Sequence, residues 1–165
     1  MLDFVRIPKE RMKILREDKK LIEQLENLSD SKVELNEEVS IESEDPLKRL
    51  RIKEVIKAFG RGFDFDDALN LLDEDFYLEI IDIKEFTGKS RVRTITLKGR
   101  IIGTGGKTKK LIEKISDVKI SIYGKTIAII GRYDNIKIAK KSIEMLLLGR
   151  MHSTVYRFLE KSMVR

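Results

Sequence analysis

The chain of 165 residues contains no cysteine, a single histidine and only two prolines. Without thiols there is no disulfide, no thiol nucleophile and no zinc site built on cysteine. One histidine, His152, cannot supply a histidine cluster. No run of eighteen apolar residues occurs, so no segment has the length of a membrane-spanning helix. The start, MLDFVRIPKE, lacks the apolar core of a secretory signal. These absences lead us to expect a protein of the reducing cytoplasm.

Acidic residues are also scarce, but only in one half. Residues 1–75 hold 14 Lys and Arg against 20 Asp and Glu; residues 76–165 hold 20 against 8. The net charge of +6 is therefore a −6 half joined to a +12 half. A basic half of this strength points to a polyanionic partner. Charged residues make up 38% of the chain, an abundance of Lys, Glu and Arg that also suits a heat-adapted organism.

The pattern predicts two α+β halves. The first opens with a short strand, FVRI, ended by Pro8, and a helical segment KERMKILREDKKLIEQLENL with Met12, Leu15, Leu21, Ile22, Leu25 and Leu28 near helical spacing. SKVELN and VSIES alternate as a hairpin. Asp45-Pro46 starts a helix with Leu47, Leu50, Ile52, Val55, Ile56 and Phe59 on one face, ending at Gly60 and Gly62. An acidic helix over 63–75 reads as a connector. The second half opens with the strand FYLEIIDI and the loop KEFTGKS. RVRTITLKGRII fits strand or helix, and KTKKLIEKIS is helical. VKISIYGKTIAIIG is a hairpin, and YDNIKIAKKSIEMLLLG is a helix begun by Asp134 or Asn135 and stopped by Gly149. A last helix, capped by Ser153, closes the chain. LIEQL at 21–25 answers LIEKI at 111–115, and KVEL answers KISI, which reads as an internal duplication with a period near 90.

The informative stretch is GRIIGTGGKTKKLIEK, residues 99–114. A nucleotide phosphate loop needs glycine, four residues, then Gly-Lys-Ser/Thr. Gly106-Lys107-Thr108 supplies the end, but position 101 is isoleucine; Gly124-Lys125-Thr126 fails because position 119 is lysine. The dinucleotide pattern fails at Thr108. A helix-ending turn needs one glycine, whereas Gly103, Gly105 and Gly106 make three, each costing about 1 kcal/mol of backbone entropy against alanine. A loop with so few side chains lets another backbone approach, and the amides of the helix that follows favour an anion. Lys107, Lys109 and Lys110 add charge on one side, Lys98 and Arg100 on the other. A sugar-phosphate strand fits this chemistry.

GRIIGTGG resembles the G-x-I-I-G-x-x-G signature of the KH domain, a binder of single-stranded RNA or DNA whose GXXG loop clamps the backbone. The resemblance implies a helix near 92–102, maps GXXG onto Gly103, Thr104, Gly105 and Gly106, and makes Ile101 and Ile102 core or groove floor. Tyr123, Gly124 and Lys125 become a hairpin tip facing the same ligand. The first half resembles a second KH module without its loop: Met12 stands where Gly99 does, Glu17 and Asp18 stand where phosphate would need donors, and aligning LIEQL with LIEKI leaves this half about three residues short.

The expected fold is thus α+β, with two tandem type I KH modules (β-α-α-β-β-α). Each is a three-stranded antiparallel sheet backed by helices on one face: a degenerate module over 1–62, the connector over 63–75, and a GXXG module with a C-terminal helix over 76–165. Such a pair resembles the Dim/Pno-type assembly factors of the small ribosomal subunit, in their archaeal form. That resemblance implies RNA binding near the 3′ end of small-subunit rRNA, in company with a Nob-type endonuclease and a dimethyladenosine transferase, without cofactor or metal. The alternative is a protein adapter acting through the acidic half. An enzyme is disfavoured: His152 stands alone, and Glu79 and Asp82 have no partner recognisable in the sequence.

Overall fold

A computed structural model describes residues Met1–Met163. The chain divides into two compact units, Met1–Phe76 and the residues from Tyr77 onward.

The first unit runs β1 (Leu2–Val5), α1 (Lys9–Glu17), α2 (Lys19–Ser29), β2 (Lys32–Leu35), β3 (Val39–Glu42), α3 (Pro46–Gly60) and α4 (Phe65–Leu69). Its sheet has the order β1-β3-β2, antiparallel, with Val5 and Leu35 both opposite Val39. The helical segment expected over 9–28 is two helices, broken at Asp18. Helix α3 starts where Asp45 accepts the Leu47 amide at 2.9 Å, with Pro46 in the first turn. Its apolar face is narrower than the spacing implies. Leu47 and Leu50 are about half exposed, and the buried residue of that first stretch is Arg49. Asp3 on β1 lies 3.4 Å from the Arg49 guanidinium, which also donates to the Ser43 carbonyl; these acceptors draw a cation inward where a leucine was expected. The far end of α3 presses on β1's exit: a Cβ on Gly60 would lie 2.6 Å from Ile7 Cγ2. The acidic segment expected as a connector folds back instead, burying Phe63, Phe65, Ala68 and Leu71, with the Phe65 ring edge-on to Phe59 at 5.6 Å.

The second unit runs β4 (Phe76–Asp82), α5 (Lys84–Thr87), α6 (Arg91–Ile102), a 3-10 turn (Thr104–Gly106), α7 (Lys107–Ser116), β5 (Lys119–Tyr123), β6 (Thr126–Arg132), α8 (Tyr133–Leu147) and α9 (His152–Met163). Its sheet has the order β4-β6-β5. The β5–β6 hairpin pairs Ile120 with Ile129 and Tyr123 with Thr126. Ile81, Leu97, Ile101, Ile112, Ile127, Ile129 and Ile143 form its core with Val155 and Leu159 of α9. Burying side chains of this size stabilises by about 1.5–3 kcal/mol each. Three boundaries differ from the sequence reading. KEFTGKS holds the short helix α5 before Gly88 turns the chain at positive φ. Helix α8 begins at Tyr133, so Asn135 lies inside it and is buried rather than capping it. Helix α9 begins at His152, which places Ser153 in its first turn.

From Met12 onward the two units repeat each other at an offset of 87, close to the period near 90 read from the sequence: Lys32 with Lys119, Val39 with Thr126, Pro46 with Tyr133. Contacts repeat as well as elements. Glu26 accepts the Val33 amide at 2.9 Å, and Glu113 accepts the Ile120 amide at 2.9 Å. Ser29 and Ser116 each donate to the carbonyl four residues back, and Asp30 and Asp117 end their helices with φ of 50° and 54°. At this offset no gap is needed from Met12 to Val39. The first half is not three residues short; Arg16-Glu17-Asp18-Lys19 stands where Gly103-Thr104-Gly105-Gly106 stands.

Candidate nucleic-acid interface

The segment RVRTITLKGRII is helical despite its β-branched residues. Ser90 caps it by accepting the Arg93 amide, and the hydroxyls of Thr94 and Thr96 donate to carbonyls four residues back. Helix α6 ends where the Gly103 amide donates to the Gly99 carbonyl at 2.8 Å. Three glycines then carry positive φ: Gly103 at 75°, Gly105 at 63° and Gly106 at 77°. Gly103 is held for a second reason. Its Cβ would fall 2.2 Å from Thr108 Oγ1, so only a bare α-carbon lets the chain fold back onto α7. Gly105 faces open space, with Thr104 exposed beside it.

Helix α7 starts behind Gly106 with no side-chain cap. Its first-turn amides have no carbonyl of their own helix to meet, and the helix dipole favours an anion there. Lys107, Lys110 and Lys114, at helical spacing, line a cavity of about 390 Å³ together with Gly105 and Leu111. The sequence reading missed Leu111 and Lys114; their spacing from Lys107 and Lys110 on an amphipathic helix was the available signal. The first unit has a cavity of about 380 Å³ too, lined by Leu15, Ile22, Val33 and Leu35 with Arg16, Lys19 and Glu23. There Asp18 accepts the Lys20 amide at 3.2 Å. A carboxylate of the chain itself fills the helix start that α7 leaves uncapped.

The remaining candidate residues have mixed placements. Ile101 is core and Ile102 is about one-third exposed. Lys109 lies off the cavity face, its ammonium 3.8 Å from Glu113. Arg100 is turned away: its guanidinium donates to the Arg150 carbonyl and its Nε is buried. Tyr123 and Lys125 sit at the β5–β6 tip, where the Lys125 carbonyl accepts the Ile83 amide at 2.9 Å; neither lines the cavity.

The carboxylates considered for chemistry are engaged structurally. Glu79 pairs with Lys140 at 2.7 Å, and that hydrogen bond raises the Lys140 pKa above the ordinary lysine value. Asp82 accepts the Lys84 amide at 2.9 Å. Among the described residues no group of three or more His, Cys, Asp or Glu is placed to hold a metal ion. No helix among them is long and apolar enough to cross a membrane.

The β-α-α-β-β-α order, the glycine loop between two helices and the lysine face beyond it define a type I KH domain. The family model for the second KH domain of PNO1, described as a eukaryotic-type KH domain (KH-domain type I), matches residues 77–164. The chain is 33% identical to a KH domain-containing protein of Methanocaldococcus jannaschii over 97% of its own length and 73% of that relative's. It is 38% identical to the pre-rRNA-processing protein pno1 of Schizosaccharomyces pombe over 84% of its length, and the match spans 57% of that longer protein. Among solved structures it resembles the a/eIF2α–aDim2p–rRNA complex of Pyrococcus horikoshii, with 37% identity, a TM-score of 0.89 and coverage of 99% of this chain and 94% of the other. The chain belongs to the PNO1-type KH family, the one that includes Pno1 and Dim2 proteins.

Proposed function

We propose that the chain is a non-catalytic RNA-binding factor of ribosome biogenesis, which holds single-stranded rRNA in its second unit. The observation that carries this reading is the exposed Thr104-Gly105 pair ahead of an uncapped helix whose Lys107, Lys110 and Lys114 share one face. The ribose-phosphate chain lies against Gly103, Thr104, Gly105 and Gly106, with bases toward Leu111 and Ile102. The pre-rRNA-processing name of the yeast relative and the rRNA in the Pyrococcus complex support the same class of ligand. At the finer level, the RNA is the 3′ region of small-subunit rRNA, bound in the cytoplasm while a Nob-type endonuclease and a dimethyladenosine transferase act nearby. Replacing Thr104 and Gly105 by aspartate sets two negative charges where phosphate sits. Affinity for a single-stranded rRNA fragment should then be lost, and unchanged affinity would remove the reading.

A second reading concerns the first unit. Asp18 closes its helix start, and the Pyrococcus complex contains a protein, a/eIF2α, beside the rRNA. The first unit then serves as a protein-contacting adapter. The doubly substituted protein distinguishes the two roles, because it should lose RNA and keep a protein partner.

A further inference from the structure

The two ends of the glycine loop are held by one face of α9. At the end of α6, His152 Nε2 lies 3.1 Å from the Arg100 carbonyl and donates to it. At the start of α7, the Tyr156 hydroxyl lies 3.0 Å from Thr108 Oγ1. His152 and Tyr156 are one helical turn apart, with their rings edge-on at 6.1 Å. The Arg100 guanidinium adds a third tie, donating to the Arg150 carbonyl just ahead of α9. Thr108 is itself the residue against which Gly103 is packed, since a Cβ at Gly103 would lie 2.2 Å from its Oγ1. A shift of Tyr156 therefore reaches the loop through one buried threonine. Neither His152 nor Tyr156 lines the lysine cavity.

We propose that α9 is a brace that holds the RNA-binding loop open before RNA arrives, with His152 and Tyr156 as its positioning residues. The inference rests on the RNA-binding reading above. A loop with three glycines has many conformations to lose on binding; fixing both of its ends in the free protein removes part of that loss and raises affinity. It also gives Arg100 a task other than meeting phosphate: its guanidinium is directed to the chain and joins the brace.

The test measures binding of the full chain to a labelled single-stranded RNA with the 3′-terminal sequence of small-subunit rRNA, well below the melting temperature. Tyr156→Phe and Thr108→Val each remove one side of the same hydrogen bond and should each weaken binding about fivefold. The double variant should be no weaker than either single one, and Thr108→Ser should bind like the wild type. His152→Phe keeps a ring beside Tyr156 but removes the donor, and should weaken binding by a similar factor. Unchanged affinity in Tyr156→Phe, with a lowered melting temperature alone, would reduce α9 to a purely structural helix and overturn the brace. Losses that multiply in the double variant would overturn it too. Failure of the wild type to bind would instead sink the RNA-binding reading, and the brace with it.

Discussion

Asp18 and Gly105 stand at the same point of the two repeats, 87 positions apart, and treat the helix that follows in opposite ways. Asp18 accepts the Lys20 amide at 3.2 Å and supplies the negative charge that the start of α2 favours. Gly105 has no side chain to do this, and α7 starts without a side-chain cap, its Gly106 and Lys107 amides meeting the Gly103 and Thr104 carbonyls. Asp18→Ala should thus cost about 1 kcal/mol of stability, the usual loss for a helix cap, and leave RNA affinity at the wild-type value. Chemical denaturation and an RNA titration on the same preparation check both halves of this expectation.

The loop glycines are not equivalent. Gly105 faces open space at a φ of 63°, so Gly105→Ala meets only backbone strain, about 1–2 kcal/mol. Gly103 combines φ 75° with ψ 171°, a region nearly reserved for glycine, and is packed against Thr108. Gly103→Ala should cost at least about 3 kcal/mol and lower the melting temperature well beyond Gly105→Ala. Thermal unfolding of the two variants side by side gives the comparison.

The lysines divide by helix face. Lys107, Lys110 and Lys114 line the cavity, whereas Lys109 lies beside Glu113. On a single strand, each phosphate that a lysine neutralises adds about 0.7 to the slope of log affinity against log salt. Changing the three cavity lysines to glutamine should reduce that slope by about 2. Lys109→Gln should barely alter it. RNA titrations across a salt series report both.

Strands and glycines were the readable parts of this chain. KISIY and TIAII alternate or run apolar because β5 and β6 cover a core, and the three glycines exceed what a turn requires. Helix α6 was ambiguous because its Val, Thr and Ile residues favour strands. It is a helix because Thr94, Leu97 and Ile101 bury one face at helical spacing and Ser90 caps its start, and the core that receives this face is not displayed by composition. The repeat was visible but mis-registered. LIEQL and LIEKI match in letters, while the residues doing the same work are Glu26 and Glu113, each holding the first strand of its hairpin. Arg100 read as a phosphate ligand because a basic residue beside a glycine loop is the usual cue. Its carbonyl acceptor on Arg150 lies 50 residues away and leaves no mark in the local pattern. Arg49 was hidden for the same reason, its partner Asp3 lying on the first strand.

The most direct measurement is amide NMR of the full chain during titration with single-stranded rRNA of the small-subunit 3′ terminus. The backbone amide signals of Thr104, Gly105, Gly106 and Lys107 should shift first and furthest, with those of Asp18 to Lys20 unmoved. Saturable binding that leaves the 104–107 amides in place while signals elsewhere move would contradict binding at the glycine loop.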